Sequence, residues 1–234
     1  MCTVTFIPNQ VDEFVLTSNR DEAPGRETIA PQLYLVDGVD LLFPKDKKAG
    51  GTWIGLSEKK RLICLLNGGF VAHDRASSYT MSRGVVVTQL LTTANVLKTI
   101  NSFNFEGIEP FTIIMVTWED TPVLEELVWD GAHIHLRKKT WTPHIWSSSL
   151  LYTSAVKIER EAWFSSFLLE KEPPNTAEIL KFHTTAGAGN PTKGLIMDRG
   201  FVKTKSITQV CLKEASVQMC YHDLEKENNT TILF

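Results

Sequence analysis

The chain has 234 residues, 43% hydrophobic and 22% charged, with a formal net charge of −3. That length and balance describe a globular chain able to bury a large core in one domain, read here as a single unit over residues 1–234. The slightly acidic balance offers no electrostatic case for nucleic acid as a partner. No apolar run approaches the ~20 residues of a membrane span. The opening MCTVTFIPNQ breaks at Pro8 and turns polar, so neither a leader nor a membrane span is expected, and the cytoplasm is the expected location.

In chain order, CTVTFIP alternates β-branched and aromatic residues and predicts a strand ending at Pro8. PNQVDE has turn chemistry, and EFVLTSN reads as the return strand of a hairpin. APGRETIAPQ reads as a loop, marked by two prolines and a glycine. TWIGLS and RLICLLN predict a second hairpin across EKK, and LNGGFVAHDRASSYTMSRG a long loop. A helix is predicted from about Ser82, with Val86, Leu90, Leu91, Val96, Leu97 and Ile100 along one face. FTIIMVTW, LEELVWDG and HIHLRK follow as strands. SAVKIEREAWFSSFLLEK reads as an amphipathic helix stopping before Pro173-Pro174. NTAEILKFH is a third helix, with Asn175 and Glu178 spaced for a capping box. TAGAGNPTKG is a loop, and KSITQVCLK, SVQMCYHDL and TTILF close the chain as strands. Hairpins and meanders separated by helices predict an α+β class, with antiparallel sheets covered by helical layers; β and α do not alternate as a doubly wound parallel fold requires.

Four cysteines are present, at 2, 64, 211 and 220, and none forms a CxxC pair. A zinc site therefore has no support, and free thiols are expected in a reducing compartment. His133 and His135 share a strand face but have no third ligand nearby in sequence, so no metal is expected.

The chemistry concentrates at the start. Initiator methionine is normally removed before a small second residue, which would leave Cys2 as the N-terminus. Such a residue joins a nucleophilic thiol to an α-amine with an unperturbed pKa of about 7.7–8.0, so nucleophile and base need no separate histidine. A turn centred near Gln10–Val11 folds residues 18–21 back beside Cys2. Either Arg20 shares its face or Asn19 and Asp21 do, because a one-residue change in turn length exchanges them. An Arg beside the thiol favours the thiolate; an Asp beside the amine orients it.

MCT followed by a strand and SNRDE, together with GGTWIG, the LLNGG strand end and the closing hairpins, resembles the NRDE family, the Transport and Golgi organization protein 2-like proteins. The resemblance covers the whole chain. It implies a branch of the N-terminal nucleophile (Ntn) hydrolases, a four-layer αββα sandwich of two mostly antiparallel sheets. Penicillin V acylases and bile salt hydrolases, which cleave linear amides with an N-terminal cysteine, are its more distant relatives. By that resemblance Cys2 is the nucleophile, Arg20 the active-site arginine, Asp21 the amine-positioning carboxylate and Asn67 the oxyanion donor. Asp21 follows its Arg at one residue where those relatives have three. Ser148 stands where they carry a second asparagine, and Lys205 where they carry a late arginine. The implied function is hydrolysis of a linear amide, or a related acyl transfer, on a small-molecule substrate with no required cofactor. Eukaryotic members are linked to haem trafficking, which implies the alternative of a haem-binding protein, with His73, His144, His183 and Cys2 as candidate ligands, or a trafficking factor without catalysis.

Overall fold

The computed structural model describes residues 3–10 and 12–234. The chain resolves into two compact units, one built from residues 1–26 and 142–233, the other from 27–141 with residue 234. Each contains one antiparallel sheet and two helices. The class is α+β, as the hairpin pattern predicts.

In the first unit, β1 (Thr3–Gln10) and β2 (Glu13–Glu22) form a hairpin, with Thr3 opposite Asn19 and Val4 opposite Ser18. In the second unit, the meander runs from β3 (Thr28–Val36) through β4 (Val39–Asp46), β5 (Ile54–Ser57), β6 (Arg61–Asn67), β7 (Phe111–Thr117) and β8 (Val123–Trp129) to β9 (Ile134–Lys139). Helices α1 (Arg83–Thr92) and α2 (Val96–Ser102) lie between β6 and β7 in the chain. The first unit resumes with β10 (His144–Ser147), α3 (Ser154–Glu170), α4 (Thr176–Thr185), β11 (Lys203–Lys213), β12 (Ser216–Asp223) and β13 (Asn228–Leu233). Its sheet runs β10-β1-β2-β11-β12-β13.

Helices α3 and α4 cover one face of the first sheet. Phe164, Ile179 and Phe182 pack with Ile7, Val15 and Leu195, and the Phe167 and Phe182 rings stack at 4.9 Å. Asn175 and Glu178 form the capping box that their spacing predicts: the Asn175 side chain accepts from Glu178 N–H, and the Glu178 carboxylate accepts from Asn175 N–H. In the second unit Val86, Val87, Leu90 and Leu91 of α1 pack on Leu41, Phe43, Ile63, Leu65, Ile113 and Met115.

The GGTWIG segment has a packing reason. A Cβ on Gly51 would lie 2.4 Å from the Gly84 carbonyl carbon, and one on Gly55 would lie 2.7 Å from Leu91 Cδ1. Glycine there lets the start of α1 approach the chain just before β5, where Thr52 N–H donates to Gly84 O at 3.2 Å.

Four local expectations change. Strand β1 runs past Pro8 to Gln10. The last β10 pair is Phe6 with His144, so the missing N–H of Pro8 breaks no bond on that side. The tetrapeptide lies inside β2, because β11 pairs with it as far as Glu22. Residues 28–32, expected as loop, begin edge strand β3; Pro31 falls at a register irregularity between Ile29 and Gln32. The helix expected from Ser82 to Ile100 breaks at 93–95, where Asn95 caps α2 by accepting from Lys98 N–H, and Leu97 is exposed. The β3–β4 hairpin turns on Asp37-Gly38 with φ of 52° and 77°, the pair of positive values that a two-residue hairpin of this type demands. No helix among the described residues is long and apolar enough to cross a membrane.

Candidate active site

Cys2 lies outside the described residues; the side chains around the start of β1, from Thr3 onward, make up the described part of the candidate site. The register decides which tetrapeptide side chains share a face. Asn19 and Asp21 lie with Thr3 on the side facing α3 and α4, and Arg20 lies with Ser18 on the opposite side. All three are buried.

Asp21 is held at both oxygens. The Thr204 hydroxyl donates to Oδ1 at 2.6 Å and the Tyr152 hydroxyl to Oδ2 at 2.8 Å. Thr204 is on β11 opposite Asp21, and Tyr152 follows the turn that leaves β10. Arg20 is 3% exposed and sits opposite Ser206, with Nη2 3.8 Å from Glu22 Oε2.

Asn19 is a clamp. Its Nδ2 donates to the backbone carbonyls of His183, at 3.1 Å, and Leu195, at 2.8 Å. With the amide so oriented, Oδ1 faces His183 Nδ1, which must carry the proton. Nε2 is then the acceptor for the Thr5 hydroxyl at 2.7 Å. Complete burial, together with the nearby Arg160 charge, pushes the His183 imidazole down to about 3, so it is neutral. The Thr5–His183–Asn19 chain has the connectivity of a hydroxyl–histidine–amide triad. Thr5 and His183 are nonetheless fully buried, so the chain pins β1, β2 and α4 together rather than meeting a substrate.

Arg160 is a charged residue that periodicity hides. It occupies α3 and is fully buried. Its Nε and Nη2 donate to Lys193 O at 3.0 and 2.8 Å, and Nη2 also donates to Gly194 O at 2.7 Å. Nη1 donates to Thr3 Oγ1, and the guanidinium lies 3.7 Å above the Tyr152 ring centre. Within KIEREAW it reads as one more solvated charge; only the depth of α3 against β1 separates it from its neighbours.

Ser148 is buried immediately after β10, and its carbonyl accepts from Tyr152 N–H at 3.1 Å, so it starts the turn that presents Tyr152. Lys205 spends its ammonium on Pro24 O and Arg26 O, each at 2.7 Å, and on Glu225 at 2.8 Å. It fastens the chain that leaves the tetrapeptide. Asn67 belongs to the second unit, at the end of β6 opposite Phe111, where Gly68 turns the chain with φ 89°.

The remaining candidates are dispersed. His73 lies 3.4 Å from Glu109, which also pairs with Arg75 and Arg83 at 3.1 and 3.0 Å and so anchors the 68–82 loop. The His144 and Trp146 rings lie 5.3 Å apart, tilted by 34°. His135 bonds Asp130 at 2.7 Å; hydrogen bonds from His133 N–H first, then His135 and Ala132 N–H, hold the Asp130 carboxyl at about 2. Cys64, Cys211 and Cys220 are free thiols.

The two-sheet α+β architecture is that of the Ntn hydrolases. A variant of conjugated bile acid hydrolase from Clostridium perfringens is similar over 99% of this chain and 92% of its own, with a TM-score of 0.61 at 10% identity. Penicillin V acylase from Agrobacterium tumefaciens matches with a TM-score of 0.56 at 9% identity, over 99% of this chain and 86% of its own. The Caenorhabditis elegans N-acylethanolamine-hydrolyzing acid amidase ortholog does so with a TM-score of 0.57 at 11% identity, over 89% and 92%. In sequence, the family model described as Transport and Golgi organisation 2 matches residues 1–190, and the chain belongs to that family. Comparison with curated proteins gives no match.

Proposed function

We propose that the protein is a cysteine-dependent amidohydrolase acting on a linear amide, or a related acyl transferase, with Cys2 as its N-terminal nucleophile once Met1 is removed. The observation that carries this reading is the pairing of Thr3, the residue after Cys2, with Asn19. It brings the buried Arg20 and Asp21 onto the strand beside the chain start. The hydrolase fold supports it.

In this reading the Cys2 α-amine takes the thiol proton and the thiolate attacks the amide carbonyl carbon. The family resemblance assigns stabilisation of the oxyanion to an asparagine side-chain amide, matched in sequence by Asn67, and to a backbone N–H. The C–N bond breaks, the leaving amine takes the proton back from the α-ammonium, and a thioester remains. Water, deprotonated by the same amine, attacks the thioester and releases the carboxylic acid and the thiol. Asp21 orients the amine, Arg20 supports the thiolate or the substrate, and Ser148 positions the Tyr152 turn.

A panel of linear amides and thioesters assayed with wild type and Cys2→Ala tests the proposal. Wild type is expected to turn over at least one member and to show an acyl adduct on Cys2 by intact mass, both lost in Cys2→Ala. Indistinguishable rates on every substrate, or a retained Met1, would remove the hydrolase reading.

A further inference from the structure

Arg160 has no carboxylate within salt-bridge distance among the described residues, although it is fully buried. A buried guanidinium left without a counter-charge is costly unless its donors and field are satisfied in another way. Here carbonyls 193 and 194 take Nε and Nη2, Nη1 reaches Thr3, and the cation rests on the face of Tyr152. The Tyr152 hydroxyl in turn donates to Asp21. Cation and carboxylate are therefore joined through one aromatic ring, and the other end of the cation grips the residue following Cys2. A second guanidinium, Arg199, lies 5.2 Å from the same ring centre, and neutral His183 also feels the Arg160 charge.

We propose that Arg160 is a positioning residue for the N-terminal cysteine: through Thr3 it fixes the start of β1, and through Tyr152 it sets the orientation and charge balance of Asp21. Thr3 is the residue that follows Cys2 in the chain, so Arg160 acts on the cysteine through the backbone it anchors and through Asp21. A buried arginine with a purely structural role would support the fold and leave the thiol's titration untouched.

This inference rests on Cys2 being the mature N-terminus, as in the proposed function, but its readout needs no substrate. The rate of iodoacetamide alkylation at Cys2, followed by peptide mass against pH, is compared in wild type, Arg160→Met, Arg160→Lys and Tyr152→Phe, with thermal melts confirming folding. Arg160→Met is expected to raise the midpoint of the profile by about one pH unit, the scale of a nearby charge. Arg160→Lys is expected to recover part of that shift. Tyr152→Phe, which keeps the ring and removes one hydroxyl, is expected to shift it the same way by less. Profiles of Arg160→Met and Tyr152→Phe that coincide with wild type would overturn the proposal; should Arg160→Met fail to fold, Tyr152→Phe decides alone. A shifted profile without turnover of any amide leaves the positioning role standing and removes only the hydrolase reading, and the converse removes only the positioning role.

Discussion

Asn19 and His183 hold each other at two points: the Asn19 amide donates to the His183 backbone carbonyl, and its side-chain oxygen accepts from His183 Nδ1. The first residue of the NRDE tetrapeptide thus ties the second strand to the last turn of α4, and its chemistry is structural.

Asn19→Ala leaves a buried imidazole N–H and the His183 carbonyl without the Asn19 amide, and leaves Leu195 O with only the Thr204 hydroxyl. The expected loss is about 2–4 kcal/mol of unfolding free energy, read by urea titration. Asn19→Asp is expected to be worse, because a carboxylate would face the carbonyls of His183 and Leu195.

The His183 imidazole falls from its ordinary 6.5 to about 3 in the folded protein, chiefly by burial and then by the Arg160 charge. Between those values the unfolded chain binds a proton that the native state does not, so stability rises with pH there and this contribution is lost as pH falls below about 6.5. The slope from this group approaches about 1.4 kcal/mol per pH unit. Urea midpoints measured from pH 7.5 down to 4 are expected to decline more steeply in wild type than in His183→Gln.

Gly51→Ala is expected to destabilise by roughly 3 kcal/mol or more, since the new methyl would strike backbone, which cannot turn aside. Gly25→Ala is the control: nothing lies within 4 Å of its Cβ position, and its melting temperature is expected to stay near that of wild type.

Features that depend on neighbours in the chain are legible in the sequence. The capping box at Asn175–Glu178 and the hairpin across EKK follow from residue types at short spacing, and both occur where expected. The Asp37-Gly38 turn is equally local, since Asp-Gly is a two-residue hairpin signal, and it lies beyond the loop predicted over APGRETIAPQ. The break between α1 and α2 hides inside an apolar periodicity that continues across it; the structure shows Asn95 capping α2 there.

What the amino-acid order determined by itself was a hairpin returning NRDE to the start of the chain, because strand alternation and turn residues act over a few positions. It left open which face each tetrapeptide side chain takes, since a strand repeats every two residues and a single-residue slip exchanges the faces. Tertiary structure decided that: with Thr3 against Asn19, Asn19 and Asp21 turn toward the helices and Arg20 away. Tertiary structure also made His183, a candidate haem ligand by the family resemblance, a neutral pin with both ring nitrogens engaged. It turned Arg160 into the buried cation bridging Thr3 to Tyr152. Burial and long-range pairing set those two states, and neither is encoded in the spacing of a helix.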